Sequence, residues 1–200
     1  MMKKSMFVLL LVCGLLFSVP AQGAVTITPS NLQIDPCTVS FDLVISDPCG
    51  VSAQSFQATM SVTGTGLTFD GPTSENVDGE ADYWLFGNSA GAAAIDNLDG
   101  SYTFGDNPDD GNPQALAVDD RMARYVFEWD GTPGDFEFTL ITNTSFSFIQ
   151  DDSFVNQSLA LDAGQYTPSG SNGFTVYIPE PATLMLFGLG TTILLRKRRA

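Results

Sequence analysis

The sequence predicts an all-β fold, an antiparallel β-sandwich, for residues 24–178 of the 200-residue chain. Three observations lead to this prediction. Short stretches alternate apolar and polar residues with a period of two, as strands with one buried face do. Clusters of Gly, Asp, Asn and Pro separate these stretches, as tight turns do. No part of this body keeps a helical period.

Residues 1–23 have the layout of a secretory signal peptide. Lys3 and Lys4 give a basic start, an apolar run follows from Met6 to Phe17, and Ala21 and Gly23 form a small-residue site for signal peptidase. We therefore expect the body to be exported and this segment to be removed.

The body contains six stretches with strand-like patterns. They are VSFDLVI (39–45), SFQATMSV (55–62), LTF (67–69), ARYVFEW (123–129), DFEFTLI (135–141) and SFSFI (145–149). The residues predicted to share an apolar face within each stretch are Phe56, Ala58, Met60 and Val62; Ala123, Tyr125, Phe127 and Trp129; Phe136, Phe138 and Leu140; and Phe146 with Phe148.

The charge of the body is strongly acidic. It holds 22 of the 23 acidic residues of the chain, and its basic residues are Arg121 and Arg124. Such a surface repels nucleic-acid phosphates and anionic lipid headgroups, and it favours solubility outside the cell. We expect no nucleic-acid partner.

Cys37 and Cys49 are the cysteines of the body, and each ends an Asp-Pro-Cys tripeptide. Exported chains with two thiols usually join them. The sequence therefore predicts an intramolecular disulfide between Cys37 and Cys49, which the chain-entropy model values at about 3 kcal/mol.

Missing residue types exclude several kinds of catalysis. The chain has no histidine, and no lysine lies within residues 24–178. Triads that need histidine and Schiff-base chemistry that needs lysine are therefore excluded. Hydrolysis of a polysaccharide by paired carboxylates stays open as a distant alternative.

Two further segments offer candidate binding residues. The loop DNPDDG contains Asp106, Asp109 and Asp110, but Pro108 and Ala117 occupy two EF-hand ligand positions, so a turn is favoured over a calcium site. An irregular calcium site there stays open.

The segment DYWLFG contains Tyr83, Trp84 and Phe86, which could stack on sugar rings if they are exposed. We favour burial of these aromatic residues in the core, with a carbohydrate-binding module as the alternative function.

The last residues, 179–200, combine three features in a fixed order. Pro179, Glu180 and Pro181 form an extended peptide that no helix can cross. Ala182–Leu195 is uncharged and, as a helix, spans about 21 Å, which is marginal for the roughly 30 Å core of a bilayer. A basic cluster follows, which the positive-inside rule keeps in the cytoplasm: Arg196, Lys197, Arg198 and Arg199.

This order closely resembles the PEP-CTERM sorting signal of exported bacterial proteins. The resemblance implies transient insertion in the inner membrane, recognition by the membrane protease exosortase, and removal of the tail. It also implies release toward the cell surface or extracellular matrix, often alongside exopolysaccharide.

The run from Val51 to Phe69 and the segment RYVFEWDGTPGDFEFTL resemble parts of a cohesin-type β-sandwich. An immunoglobulin-like or jelly-roll sandwich fits the same pattern. We therefore expect a non-enzymatic structural or adhesive module. Extracellular polysaccharide is a further candidate partner.

Overall fold

The computed structural model describes residues 23–71, 93–108 and 110–180, which contain thirteen β-strands. The strands in chain order are β1 (Val25–Ile34), β2 (Thr38–Asp47), β3 (Ser52–Thr63), β4 (Leu67–Phe69), β5 (Ala93–Asp96), β6 (Ser101–Asp106), β7 (Gln114–Ala115), β8 (Arg121–Trp129), β9 (Gly134–Leu140), β10 (Phe148–Asp151), β11 (Asn156–Leu161), β12 (Thr167–Pro168) and β13 (Gly173–Ile178). The prediction of an all-β body is confirmed.

The strands form one continuous sheet that folds over into two layers. The β2 layer has the order β1-β2-β8-β4. The β3 layer is centred on β3, which pairs with β9 and β10 along one edge and with β6 and β7 along the other. Strand β11 joins the layers, because it pairs antiparallel with β10 and parallel with β1. The other strand pairs of the described residues are antiparallel, as predicted.

Aromatic rings fill the space between the two layers. The ring of Phe41 in β2 stacks on Tyr125 in β8 at 5.5 Å between centroids, and it meets Phe138 and Phe174 edge-on at 4.9 and 5.2 Å. Tyr125 Oη donates a hydrogen bond of 2.6 Å to the carbonyl of Ala58 in β3. Burial raises the pKa of Tyr125, so its hydroxyl remains a donor. These contacts hold the β2 layer against the β3 layer.

The predicted apolar faces agree with the structure in β3, β8 and β9 but not in β10. Ile149 lies opposite Phe56 and is buried, whereas Phe146 is 50% exposed. Between them in sequence, Ser147 is buried, and its hydroxyl accepts a hydrogen bond of 2.9 Å from Thr59 N. The prediction that Phe146 and Phe148 share the apolar face is therefore wrong, because this bond fixes the segment in the opposite orientation.

Arg121 and Arg124, the basic residues of the body, meet at a single buried carboxylate. Asp42 in β2 is 1% exposed and lies on the outward side of the β2 layer. Its Oδ1 lies 2.7 Å from Arg124 Nε, and its Oδ2 lies 3.1 Å from Arg121 Nε and 3.1 Å from Asn31 Nδ2. The cluster joins β1, β2 and β8 by their side chains.

The predicted disulfide between Cys37 and Cys49 is wrong, because both thiols are free. The two cysteines lie at opposite ends of β2, a strand of ten residues. A strand of that length spans about 33 Å at 3.3 Å per residue. A disulfide needs its two Cα atoms within about 7 Å of each other. Nearness in sequence fails as a guide here because the intervening chain is extended.

We expect two free thiols of unequal reactivity in the folded protein. Cys37 is exposed, whereas Cys49 is half-buried and its Sγ donates to Ala24 O at 3.1 Å. Burial raises the pKa of the Cys49 thiol, and the nearby Asp47 carboxylate raises it further, so its reactive thiolate is scarce. Timed thiol titration near neutral pH should label Cys37 first, and Cys37→Ser should remove the fast phase. A folded protein without any reactive thiol would contradict the structure.

Candidate binding face

The outward surface of the β3 layer carries short polar side chains. Successive residues of a strand point to opposite faces. Ala58 and Met60 are buried in the core, so Gln57, Thr59 and Ser61 lie on the opposite side of β3, where Gln57 and Ser61 are half-buried and Thr59 is fully covered. Strand pairing continues this polar surface across neighbouring strands, with Thr103 and Ser101 of β6 and Thr139 of β9 directly opposite β3 residues.

A directed chain of hydrogen bonds fixes the centre of this surface. Thr59 Oγ1 donates to Phe146 O at 2.6 Å, and it lies 2.9 Å from Thr103 Oγ1. A hydroxyl has one proton to donate, so Thr103 is the donor in the second contact. Asn97 Nδ2 in turn donates to Thr103 Oγ1 at 3.0 Å. The chain therefore runs from Asn97 through both threonines to the Phe146 carbonyl.

An exposed apolar side chain flanks this polar centre on each side. Ile95 in β5 lies directly opposite Thr103 and is 52% exposed. Phe146 precedes β10, and its carbonyl also accepts Gln57 Nε2 at 3.0 Å. We call Ile95, Thr103, Thr59, Gln57 and Phe146 the binding face.

The rim of the binding face includes an ordered acidic turn between β5 and β6. Asp99 Oδ1 accepts hydrogen bonds from the hydroxyl and backbone N–H of Ser101, at 2.6 and 2.9 Å. These bonds hold the pKa of Asp99 below its ordinary value, so the carboxylate is charged at neutral pH. Leu98, beside it, is 89% exposed. The rim therefore offers both a fixed negative charge and an apolar side chain.

The binding face has an apolar and amide character. None of its five side chains titrates or acts as a strong nucleophile. Aromatic and aliphatic anchors around satisfied polar groups are typical of protein interfaces.

Most residues that the sequence singled out as sites lie outside the described residues. Pro179 and Glu180 are described and follow β13 directly. Cys37, Cys49, Asp106 and Asp110 are described as well. The residues that lie outside are the aromatic candidates Tyr83, Trp84 and Phe86, the loop residue Asp109, Pro181 and the basic cluster Arg196, Lys197, Arg198 and Arg199. The signal peptide, apart from Gly23, and the predicted membrane span lie outside as well.

The calcium alternative gains no support from its two described residues. Asp106 Oδ1 accepts from Asn107 N at 2.7 Å, and Asp110 Oδ1 accepts from Asn112 N at 2.9 Å, as carboxylates in turns do. Residues 23–71, 93–108 and 110–180 contain no group of three acidic or cysteine side chains arranged to hold a metal ion. Over the same ranges, no helix is both long and apolar enough to cross a bilayer.

Sequence reasoning missed the binding face, although part of its signal was present. The polar positions of SFQATMSV already assign Gln57, Thr59 and Ser61 to a face opposite the core. Ile95 could not be found this way, because its place beside Thr103 depends on strand pairing. Phe146 was assigned to the wrong face.

Comparison with known proteins identifies the tail and the fold. Residues 178–199 match the PEP-CTERM protein-sorting motif. No curated protein matches the sequence at a significant level.

Among solved structures, the chain is similar to a chain of the CaDoc0917–CaCohA2 complex, with 14% identity over 78% of this chain and 99% of that chain and a TM-score of 0.51. It is also similar to the seventh ScaB type I cohesin from Pseudobacteroides cellulosolvens, with 8% identity over 78% and 93% of the two chains and a TM-score of 0.47. These identities show similarity of fold alone. The chain therefore carries a PEP-CTERM sorting motif at residues 178–199, behind a β domain with a cohesin-like fold.

Proposed function

We propose that this chain is an exported bacterial protein of the cell surface or extracellular matrix. Its β domain works as a non-enzymatic, protein-binding module, and exosortase removes its tail. The observation that carries the proposal is a sorting motif attached directly to a β domain with a cohesin-like fold. The predicted signal peptide at residues 1–23 supports export by the same route.

The order of features in the tail supports its removal at the outer side of the inner membrane. The signal peptide leads the body across, the apolar stretch 182–195 stops transfer, and the basic cluster stays in the cytoplasm. Pro179, Glu180 and Pro181 then lie at the outer surface as an extended peptide. An extended, exposed peptide is the form that a protease binds.

Replacement of Glu180 tests the processing step. In a host with an active exosortase, we expect Glu180→Gln to slow tail removal by about tenfold or more, the scale on which an enzyme rejects a substrate that lacks a recognised charge. Glu128→Gln, an exposed glutamate in β8, is the matched control and should be processed like the unmodified chain. Equal processing of all three chains would contradict recognition of this motif.

The binding face supports a protein partner for the β domain. A partner that covers Ile95 and Phe146 buries apolar surface, and the half-buried Gln57 between them is a polar group already ordered by its bond to the Phe146 carbonyl. The structure with a TM-score of 0.51 comes from a protein complex. We propose that this chain also binds a protein, through the binding face.

Substitution within the binding face tests this role. We expect Phe146→Asp to weaken retention of proteins from the producer's extracellular fraction by about tenfold or more, as loss of an interface anchor does. Val118→Asp is the control, because Val118 is also exposed but lies in the loop before β8. Equal protein retention by both variants would contradict the assignment. If both variants retain protein-free exopolysaccharide as well as the unmodified domain does, the carbohydrate-binding alternative is favoured instead.

A further inference from the structure

The last strand of the β domain is paired to its final residue. All six residues of β13 lie opposite residues of β9, from Gly173 opposite Thr139 to Ile178 opposite Gly134. The side chain of Ile178 is fully buried in the core. The sorting motif begins at this same residue, so no linker separates the folded body from the peptide Pro-Glu-Pro.

This arrangement leaves little room for a protease. Ile178 and Ala182 are joined by four Cα–Cα steps, which reach about 14 Å when fully extended. A body of this size has a radius of gyration of about 15 Å. A protease that acts on Pro179–Pro181 at the membrane surface must therefore work in contact with the folded domain.

The surface around the exit of the tail is made of connected loops. Three inter-strand loops lie at this end of the sandwich. Trp129 N donates to Cys37 O at 2.8 Å, which ties the β1–β2 turn to β8. Asp130 N donates to Gly66 O at 3.0 Å, which ties the β8–β9 loop to the β3–β4 turn. Trp129 Nε1 also donates to Thr132 O at 2.8 Å. These bonds hinder the loops from moving aside.

Binding of the tail by a protease also requires free backbone hydrogen-bonding groups near the end of β13. Proteins commonly bind extended peptides by hydrogen bonding to the peptide backbone. On the amino-terminal side of Pro179, the backbone is already paired with β9, and Pro179 itself has no N–H to donate. An enzyme that binds the backbone of residues before Pro179 must first separate the end of β13 from β9.

We propose that the folded β domain acts as a brake on tail removal, because the end of β13 must unpair from β9 before the protease can bind the peptide. This inference rests on the proposed processing by exosortase. The paired end of β13 limits how fast the protease binds the peptide, before any peptide bond is cut. The folded domain therefore stays attached to the membrane for longer.

A flexible insertion tests the brake in the full-length chain. A Gly/Ser linker of about eight residues between Ile178 and Pro179 supplies unpaired backbone and distance from the body. We expect tail removal, followed by pulse-chase in membranes with active exosortase, to become about fivefold faster or more, because the step of local opening is bypassed. The same linker between Gly170 and Ser171, in the exposed turn before β13, is the control and should leave the rate unchanged.

A second variant tests the brake without lengthening the tail. Val176→Ala removes buried apolar contact from the end of β13 and should also speed tail removal, with the fold checked by circular dichroism. An unchanged or slower rate in the linker variant would overturn the brake. Glu180→Gln in the chain with the linker tests the premise separately. If this chain loses its tail as fast as the linker chain with Glu180, the protease does not recognise the motif, and the proposed processing is wrong.

Discussion

Replacement of Phe41 by Ala is expected to lower the free energy of unfolding by about 4 kcal/mol, within the range measured for large aromatic deletions in cores. Phe41 is fully buried, and its ring contacts Tyr125 within its own layer and Phe138 and Phe174 in the other. Truncation therefore opens a cavity between the layers and removes ring contacts on both sides. Neighbouring rings on paired strands can fill such a cavity only in part.

Denaturant unfolding of the domain measures this loss. Ser40→Ala is the matched control, because Ser40 precedes Phe41 in β2 and points away from the core. We expect it to change the free energy of unfolding by about 0.5 kcal/mol or less. A loss below about 1 kcal/mol for Phe41→Ala would mean that the two layers are not packed around this ring.

Replacement of Asp42 by Asn is expected to lower the free energy of unfolding by about 3 kcal/mol, as loss of one member of a buried ion cluster does. Asp42 is buried, and its carboxylate oxygens lie 2.7 and 3.1 Å from the guanidinium nitrogens of Arg124 and Arg121. The amide keeps the shape of the side chain but removes the negative charge, so both arginines lose their attraction to it. The buried Arg121 is affected most, since water screens it least.

Thermal unfolding of the variant at neutral pH checks this expectation. Glu128→Gln, an exposed acid-to-amide change in β8, is the control and should leave the melting temperature nearly unchanged. A similar melting temperature for both variants would show that the charge of Asp42 contributes little to the fold.

The sequence predicts the strands well where one face is strongly apolar. Alternation in ARYVFEW and DFEFTLI gives the core-facing residues of β8 and β9 correctly, because a period of two directly reports which face meets the core. It does not predict the burial of Val126, which it places on the opposite face of β8. The same rule fails in SFSFI, where a hydrogen bond from Thr59 N to Ser147 decides the orientation. Such a bond joins residues far apart in the chain, so local alternation does not contain it.

Long-range pairing also explains the other failures of prediction. The parallel contact between β1 and β11 joins the first strand to one of the last three, and the binding face needs β5, β6 and β3 to lie side by side. The predicted disulfide is wrong because nearness in sequence does not mean nearness in space: Cys37 and Cys49 are separated by the full length of β2. The tail, in contrast, is recognised from sequence because its features follow one another directly along the chain.

The mass of the protein recovered from outside the producing cell is the most direct test of the central claim, that the tail directs export and is then removed. The account predicts a molecule that begins near Ala24, contains β13, and lacks the apolar stretch and the basic cluster that follow Pro181. Extracellular molecules that still end in Arg196, Lys197, Arg198 and Arg199 would contradict it.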